Sequence, residues 1–146
     1  MLHGILLSWA LAAAVGTVAS FATPVPAFAQ LADEQGEVRH VIEQQIEAFR
    51  AGDLETAFSF AAPSIRRLFG SPDVFGRMVE QGYPMVWSPS EVTFLELRRI
   101  EGALWQRVMV RDDSGALHML DYQMTPGEGG WKIGGVQLLR AQDLRA

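Results

Sequence analysis

Residues 91–139 read EVTFLELRRI EG ALWQRVMVR DDSG ALHMLDYQM TPGEGG WKIGGVQLL. Four runs rich in Val, Leu, Met, Trp and Tyr alternate with turn-forming residues, the pattern of a meander of antiparallel strands joined by short loops. Strands are expected at Glu91 to Ile100, Ala103 to Arg111, Ala116 to Met124 and Trp131 to Leu139. The turns between them are Glu101-Gly102, Asp112 to Gly115 and Thr125 to Gly130. Because the loops are short, register can be counted outward from each hairpin. If Ile100 faces Ala103, Arg111 faces Ala116 and Met124 faces Trp131, one face carries Thr93, Leu95, Leu97, Leu104, Val108, Val110, Leu117, Met119, Val136 and Leu138. That is the expected core face, and Gln106 and Asp121 sit on it in one row with Leu97. The opposite face places Glu96 beside Arg107, and Arg98 beside Trp105 and then Tyr122. It also carries Phe94, Met109, Leu120, Trp131 and Ile133, too much apolar surface for a freely solvated sheet. Two covers are open: a second copy of the chain, meeting it through Phe94, Trp105, Met109 and Trp131, or this chain's own segment 140–146 or the loop around Trp87. A three-residue bulged turn within Asp112 to Gly115 would slip the pairing by one residue and reverse the later faces.

Upstream of the strands the apolar period changes from 2 to 3.6. From Asp33 to Ala51, Val38, Ile42, Ile46 and Phe49 recur at helical spacing, acids fill the first turn, and Gly52 stops the helix. Asp53 is placed to cap a short helix, Leu54 to Ala61, with Leu54, Ala57, Phe58 and Ala61 on one stripe. A further turn, Ile65 to Phe69, ends at Gly70. Ser71-Pro72 then opens a helix whose apolar face is Val74, Phe75, Met78 and Val79 and which closes at Gly82. Helices followed by an antiparallel sheet make an α+β domain.

Working back to the start, all 12 basic and 17 acidic residues lie at or after Asp33, and there is no cysteine. The uncharged head, with its apolar run from Leu6 to Phe21, the prolines at 24 and 26 and the sequence Ala27-Phe28-Ala29, reads as a signal peptide cut after Ala29. The alternative is an uncleaved membrane anchor, since Gly4 to Ala22 approaches the roughly 20 residues that span a bilayer. Cleavage predicts a periplasmic or secreted protein made of one domain, residues 30–146. A domain of that size buries roughly two-thirds of its unfolded surface. Without cysteine, thiol catalysis, disulfide scaffolds and thiolate zinc sites are excluded. The net charge of −5 carries no basic stripe, so neither nucleic acid nor, after leader cleavage, a membrane is an expected partner.

Three segments, VIEQQIEAFRAGDLETAFSFAAPSI (41–65), FGRMVEQGYPMVWSPSEVTF (75–94) and DYQMTPGEGGWKIGGVQL (121–138), together resemble the nuclear transport factor 2-like (SnoaL-like) superfamily. More narrowly they are similar to the bacterial domain-of-unknown-function family 4864, over roughly Glu37 to Leu138. The resemblance implies a cystatin-like cone: N-terminal helices packed on a curved four-stranded antiparallel sheet, with a cavity between them. It implies no activity, because that superfamily holds isomerases, dehydratases, ligand-binding proteins and dimeric adaptors.

In superfamily enzymes a pocket carboxylate, tyrosine or histidine moves protons. Asp121 is the catalytic candidate here, because burial beside Gln106 on an apolar face would raise its pKa. The structural alternative pairs it with Arg99 or Lys132, or hydrogen-bonds it to Gln106. Tyr83, before Pro84 at the junction of helix and strand, would place a phenol at the cavity mouth or simply pack its ring. Gln123 and Leu97 complete the expected ligand-binding set. His118 and His40 fall away from Asp121, the serines lack a nucleophile elbow, and no metal site or cofactor motif is found. The leading expectation is a module that binds a small apolar ligand or a protein. The alternatives are an isomerase or lyase using Asp121, and a structural homodimer.

Overall fold

The computed structural model describes residues 18–140 and 142–145. The apolar run expected to form the leader lies largely outside these residues. Helix α1 spans Ala27–Arg50, starting six residues before the expected Asp33 and running through the expected cleavage point. Its buried residues are Val38, Ile42, Gln45, Ile46, Ala48 and Phe49, the stripe read from the sequence plus one glutamine. Gly52 supplies the positive φ (+69°) that turns the chain out of α1. Asp53 caps α2 (Leu54–Ser59), accepting from the Thr56 amide, and Ser71 caps α4 (Pro72–Gly82), accepting from the Val74 amide. Between them lies α3 (Pro63–Phe69), which buries no residue fully; α5 (Pro84–Trp87), a single turn after Tyr83, was not expected. Among the described residues no helix is long and apolar enough to cross a membrane.

The strands β1 (Glu91–Ile100), β2 (Ala103–Arg111), β3 (Leu117–Gly127) and β4 (Gly130–Leu139) form one antiparallel sheet in sequence order, packed under the helices and not closed into a barrel. This is the expected α+β class. The first hairpin is as counted: Ile100 pairs with Ala103, and Glu101 (φ 49°) and Gly102 (φ 81°) adopt the two left-handed conformations of a tight two-residue turn. Further along, Leu95 and Glu96 together oppose Arg107, a bulge that brings Val92 and Phe94, rather than Thr93 and Leu95, to the helix side.

The second hairpin corrects the sequence reading. Arg111 pairs with Leu117, not Ala116, because the loop is the three-residue bulged kind, with Gly115 at φ +87° and the Asp112 amide donating to the Ala116 carbonyl at 2.9 Å. Every β3 side chain therefore changes face. Tyr122 and Leu120 enter the core, while Leu117, Met119, Asp121 and Gln123 turn outward. The third hairpin turns tightly at Glu128-Gly129 rather than through the expected Thr125 to Gly130 loop, so Met124 meets Ile133 instead of Trp131, and beyond that pair a bulge at Gly134 shifts the register by one. It compensates the first slip for Val136, which keeps its inward face, but Ile133 becomes core.

Three α1 side chains within a turn and a half reach opposite edges of the sheet: Glu34 pairs with Arg99 of β1 at 2.7 Å, Gln35 donates to the Leu95 carbonyl at 3.4 Å, and Glu37 accepts from the Trp131 indole of β4 at 3.1 Å. Four strands span about 14 Å, so the sheet curls around the helix. The expected outer apolar set shrinks accordingly. Phe94 lies under the Arg39 guanidinium (4.9 Å) and Trp131 bonds to α1, so both serve the helix side, while Trp105 and Met109 stay on the outer face.

Candidate functional site

Two regions collect the polar residues singled out above, on opposite faces of the sheet. The outer one centres on Asp121. It lies beside Arg107 on β2, not beside Gln106, and is 6% exposed. The carboxylate accepts from Arg98 (2.5 Å) and from the Nε and Nη2 atoms of Arg107 (3.3 and 3.2 Å), and Arg107 also pairs with Glu96 at 3.1 Å. Burial pushes the Asp121 carboxyl up, but the hydrogen bonds and charges of the two arginines outweigh it and hold its pKa below the ordinary value. Such a carboxylate stays ionised and is a poor proton acceptor, the opposite of what an apolar pocket would have produced. Gln123 joins Asp121, Trp105 and Gln137 along a shallow outer groove. The partners expected for Asp121, Arg99 and Lys132, are engaged elsewhere: Arg99 with Glu34, and Lys132 with the Ser59 carbonyl.

Gln106 is fully buried, but its amide serves the fold. Nε2 donates to the carbonyls of Leu95 (3.0 Å) and Arg107 (2.8 Å), groups that the β1 bulge strips of ladder partners. Leu97 is ordinary core. Neither residue lines the outer groove or the inner cavity.

The inner region is a cavity of about 250 Å³ between α3, α4, the C-terminal part of α1 and strands β3 and β4. Its wall is aromatic and aliphatic. Phe75 is the hub, with ring centroids 5.9 Å from Phe49, 5.4 Å from Phe58 and 5.9 Å from Phe69. Leu68, 73% exposed, stands at its mouth. No charged side chain lines it, and three residues supply polar groups: Gln45, Tyr83 and Tyr122. Gln45 donates to the Ala57 carbonyl at 3.1 Å, and Tyr83 donates to the Val136 carbonyl at 3.1 Å. Tyr122 is 0% exposed and its hydroxyl has no hydrogen-bond partner. Burial first, then the neighbouring Tyr83, push its pKa up, so the phenol keeps its proton and remains a donor.

Of the expected ligand-binding residues, only Tyr83 reaches this cavity. Tyr122 was lost with the register slip, and the signal for it was the loop itself: Gly115 stands where a three-residue hairpin needs a left-handed residue. Gln45 was legible as a polar residue on an apolar stripe, three after Ile42 and four before Phe49. A further pair unforeseen from sequence, His118 and Asp112 at 2.7 Å, belongs to the second hairpin and lines a small groove with Ser88 and Met85. Among the described residues no group of three or more His, Asp or Glu side chains is arranged to hold a metal ion.

No curated protein matches the chain. A family model does match it over residues 31–146, and with that span the chain belongs to the family described as Domain of unknown function (DUF4864).

Proposed function

We propose that this domain is a binding module that takes a small amphipathic molecule into the cavity between its helices and sheet. One observation carries the reading: a buried tyrosine hydroxyl, that of Tyr122, without a hydrogen-bond partner in a residue lining an otherwise apolar cavity. An unsatisfied buried hydroxyl costs about 1–3 kcal/mol, and phenylalanine would fill the same space without that cost. A ligand whose polar group meets the phenol recovers the loss, while its apolar part covers Phe69, Phe75 and Met78. The volume lies just under the roughly 300–1,000 Å³ of pockets for drug-sized ligands, which favours a short chain or a single ring. The element order and the position of the cavity agree with the resemblance to nuclear transport factor 2-like domains.

Thermal unfolding in the presence of neutral amphipaths, from hexanol to decanol and including benzyl alcohol, tests the reading. Binding to the folded state raises stability by mass action, about 2.7 kcal/mol at a hundredfold excess over Kd. At least one member is expected to raise Tm progressively with concentration. A panel in which none does so would sink the proposal.

A further inference from the structure

Resting on that reading, we infer that the ligand is an anionic amphiphile whose apolar chain fills the cavity while its acidic headgroup stays at the mouth against Arg66 and Arg67 of α3. The distribution of ion pairs carries the inference. Among the described residues, the arginines of α1 and of the sheet all have carboxylate partners: Arg39 with Glu43, Arg50 with Glu47, Arg98 and Arg107 with Asp121, Arg99 with Glu34, and Arg111 with Glu91. Arg66 and Arg67 have none among the described residues, nor do Arg77 of α4 and Arg140, although the chain carries five more acids than bases; of these four only Arg66 and Arg67 lie on α3 at the cavity rim. They sit within the turn of α3 that forms the cavity rim, between Ile65 and Leu68, both of which line it. Helical geometry places Arg66 about 60° around the axis from Phe69, another lining residue, and Arg67 about 100° from Leu68 at the mouth, so both stand outside the cavity wall itself.

The interior rejects a charge. No cation lines the cavity, and taking a carboxylate into such a wall without a partner costs several kcal/mol. An ionised head therefore stays at the mouth, where two unpaired guanidinium groups and an exposed leucine meet it. At about 30 Å³ for each water-sized group, the 250 Å³ cavity holds about eight such groups. An eight-carbon chain is thus a fitting probe.

The experiment compares octanoate with 1-octanol by calorimetric titration of the full chain at low ionic strength. Octanoate is expected to bind about fivefold or more tightly than octanol. The double substitution Arg66→Gln, Arg67→Gln should bring octanoate to the octanol level while leaving octanol affinity unchanged, and half-molar sodium chloride should do the same to the native chain. Both arginines are exposed and unpaired, so the variant is expected to unfold at the native temperature. If octanoate binds no better than octanol, or if the double variant keeps the preference, the headgroup inference is overturned while the cavity reading stands. If neither molecule binds while another alcohol of the panel does, this inference is overturned and the cavity reading stands; if the whole panel fails as well, both fall together.

Discussion

Tyr122 carries a hydroxyl that no neighbouring group meets, on a side chain with no solvent exposure. Removing the oxygen alone therefore deletes a desolvation cost without opening a cavity. Tyr122→Phe is expected to raise unfolding free energy by about 1–2 kcal/mol in urea titrations, and to weaken octanol binding several-fold in the same preparation. A loss of stability would mean that the hydroxyl is satisfied in solution. Under the proposed function, stability and binding are therefore expected to respond in opposite directions at this position. Tyr83 could be placed at the cavity from sequence because Pro84 fixes the junction it occupies. Tyr122 could not, because its face depended on a loop whose Gly115 lies seven residues upstream. Asp121 is the mirror of that error: one step of register exchanges an apolar wall for two guanidinium groups, and the sign of the pKa shift changes with it.

The loop responsible is the element on which the sheet turns. In the β2–β3 hairpin, Asp112 accepts from the Ser114 hydroxyl (2.6 Å), the Ser114 and Ala116 amides (2.9 and 3.0 Å) and the His118 ring (2.7 Å). The Ser114 hydroxyl foremost, then His118, hold the Asp112 carboxyl far below the usual carboxylate range. A carboxylate with a depressed folded pKa adds stability that is complete above its unfolded value of about 3.9 and is lost as pH falls toward the folded value. Asp112→Asn should therefore be less stable than the native chain at pH 7, with the difference shrinking below about pH 4, as read from urea midpoints along a pH series. A difference independent of pH would assign the effect to the turn's geometry alone. The helices were more legible than this hairpin, because caps such as Asp53 and Ser71 act through their own backbone neighbours. The bulge at Leu95-Glu96 left no comparable trace, whereas the glycine pair Gly134-Gly135 inside a strand marks the bulge on β4. The two bulges depend on Gln106 and on the close approach of Gly134 to Thr125, contacts made across strands.

At the scale of the whole molecule, α1 carries its first residues clear of the domain. Phe28 is 79% exposed and Leu31 38% exposed, and the first buried side chain is Val38. Of the described residues, cutting after Ala29, as the Ala27-Phe28-Ala29 pattern suggests, would remove residues 18–29, which include one turn of helix and no buried side chain. A chain of residues 30–146 is expected to match the full chain's unfolding temperature within about a degree, since surface changes away from packed groups stay within about 0.5 kcal/mol. A drop of several degrees would show that residues 1–29 contribute to the fold. The class of the fold and its helix-to-sheet order were readable from hydrophobic period. The curl of the sheet, and with it the cavity, arises from pins such as Glu34 to Arg99 and Glu37 to Trp131, which join positions more than 60 residues apart.

An open four-stranded sheet has two borders, and each is broken up here. On β4, Ile133 exchanges backbone hydrogen bonds with the Phe60 carbonyl (2.9 Å) and the Ala62 amide (2.8 Å), so the segment after α2 occupies that border. On β1, the Leu95-Glu96 bulge interrupts the row of free amides midway. Neither side offers the long, flat template on which strands of other molecules would add, the route by which sheet proteins form fibrils at high concentration.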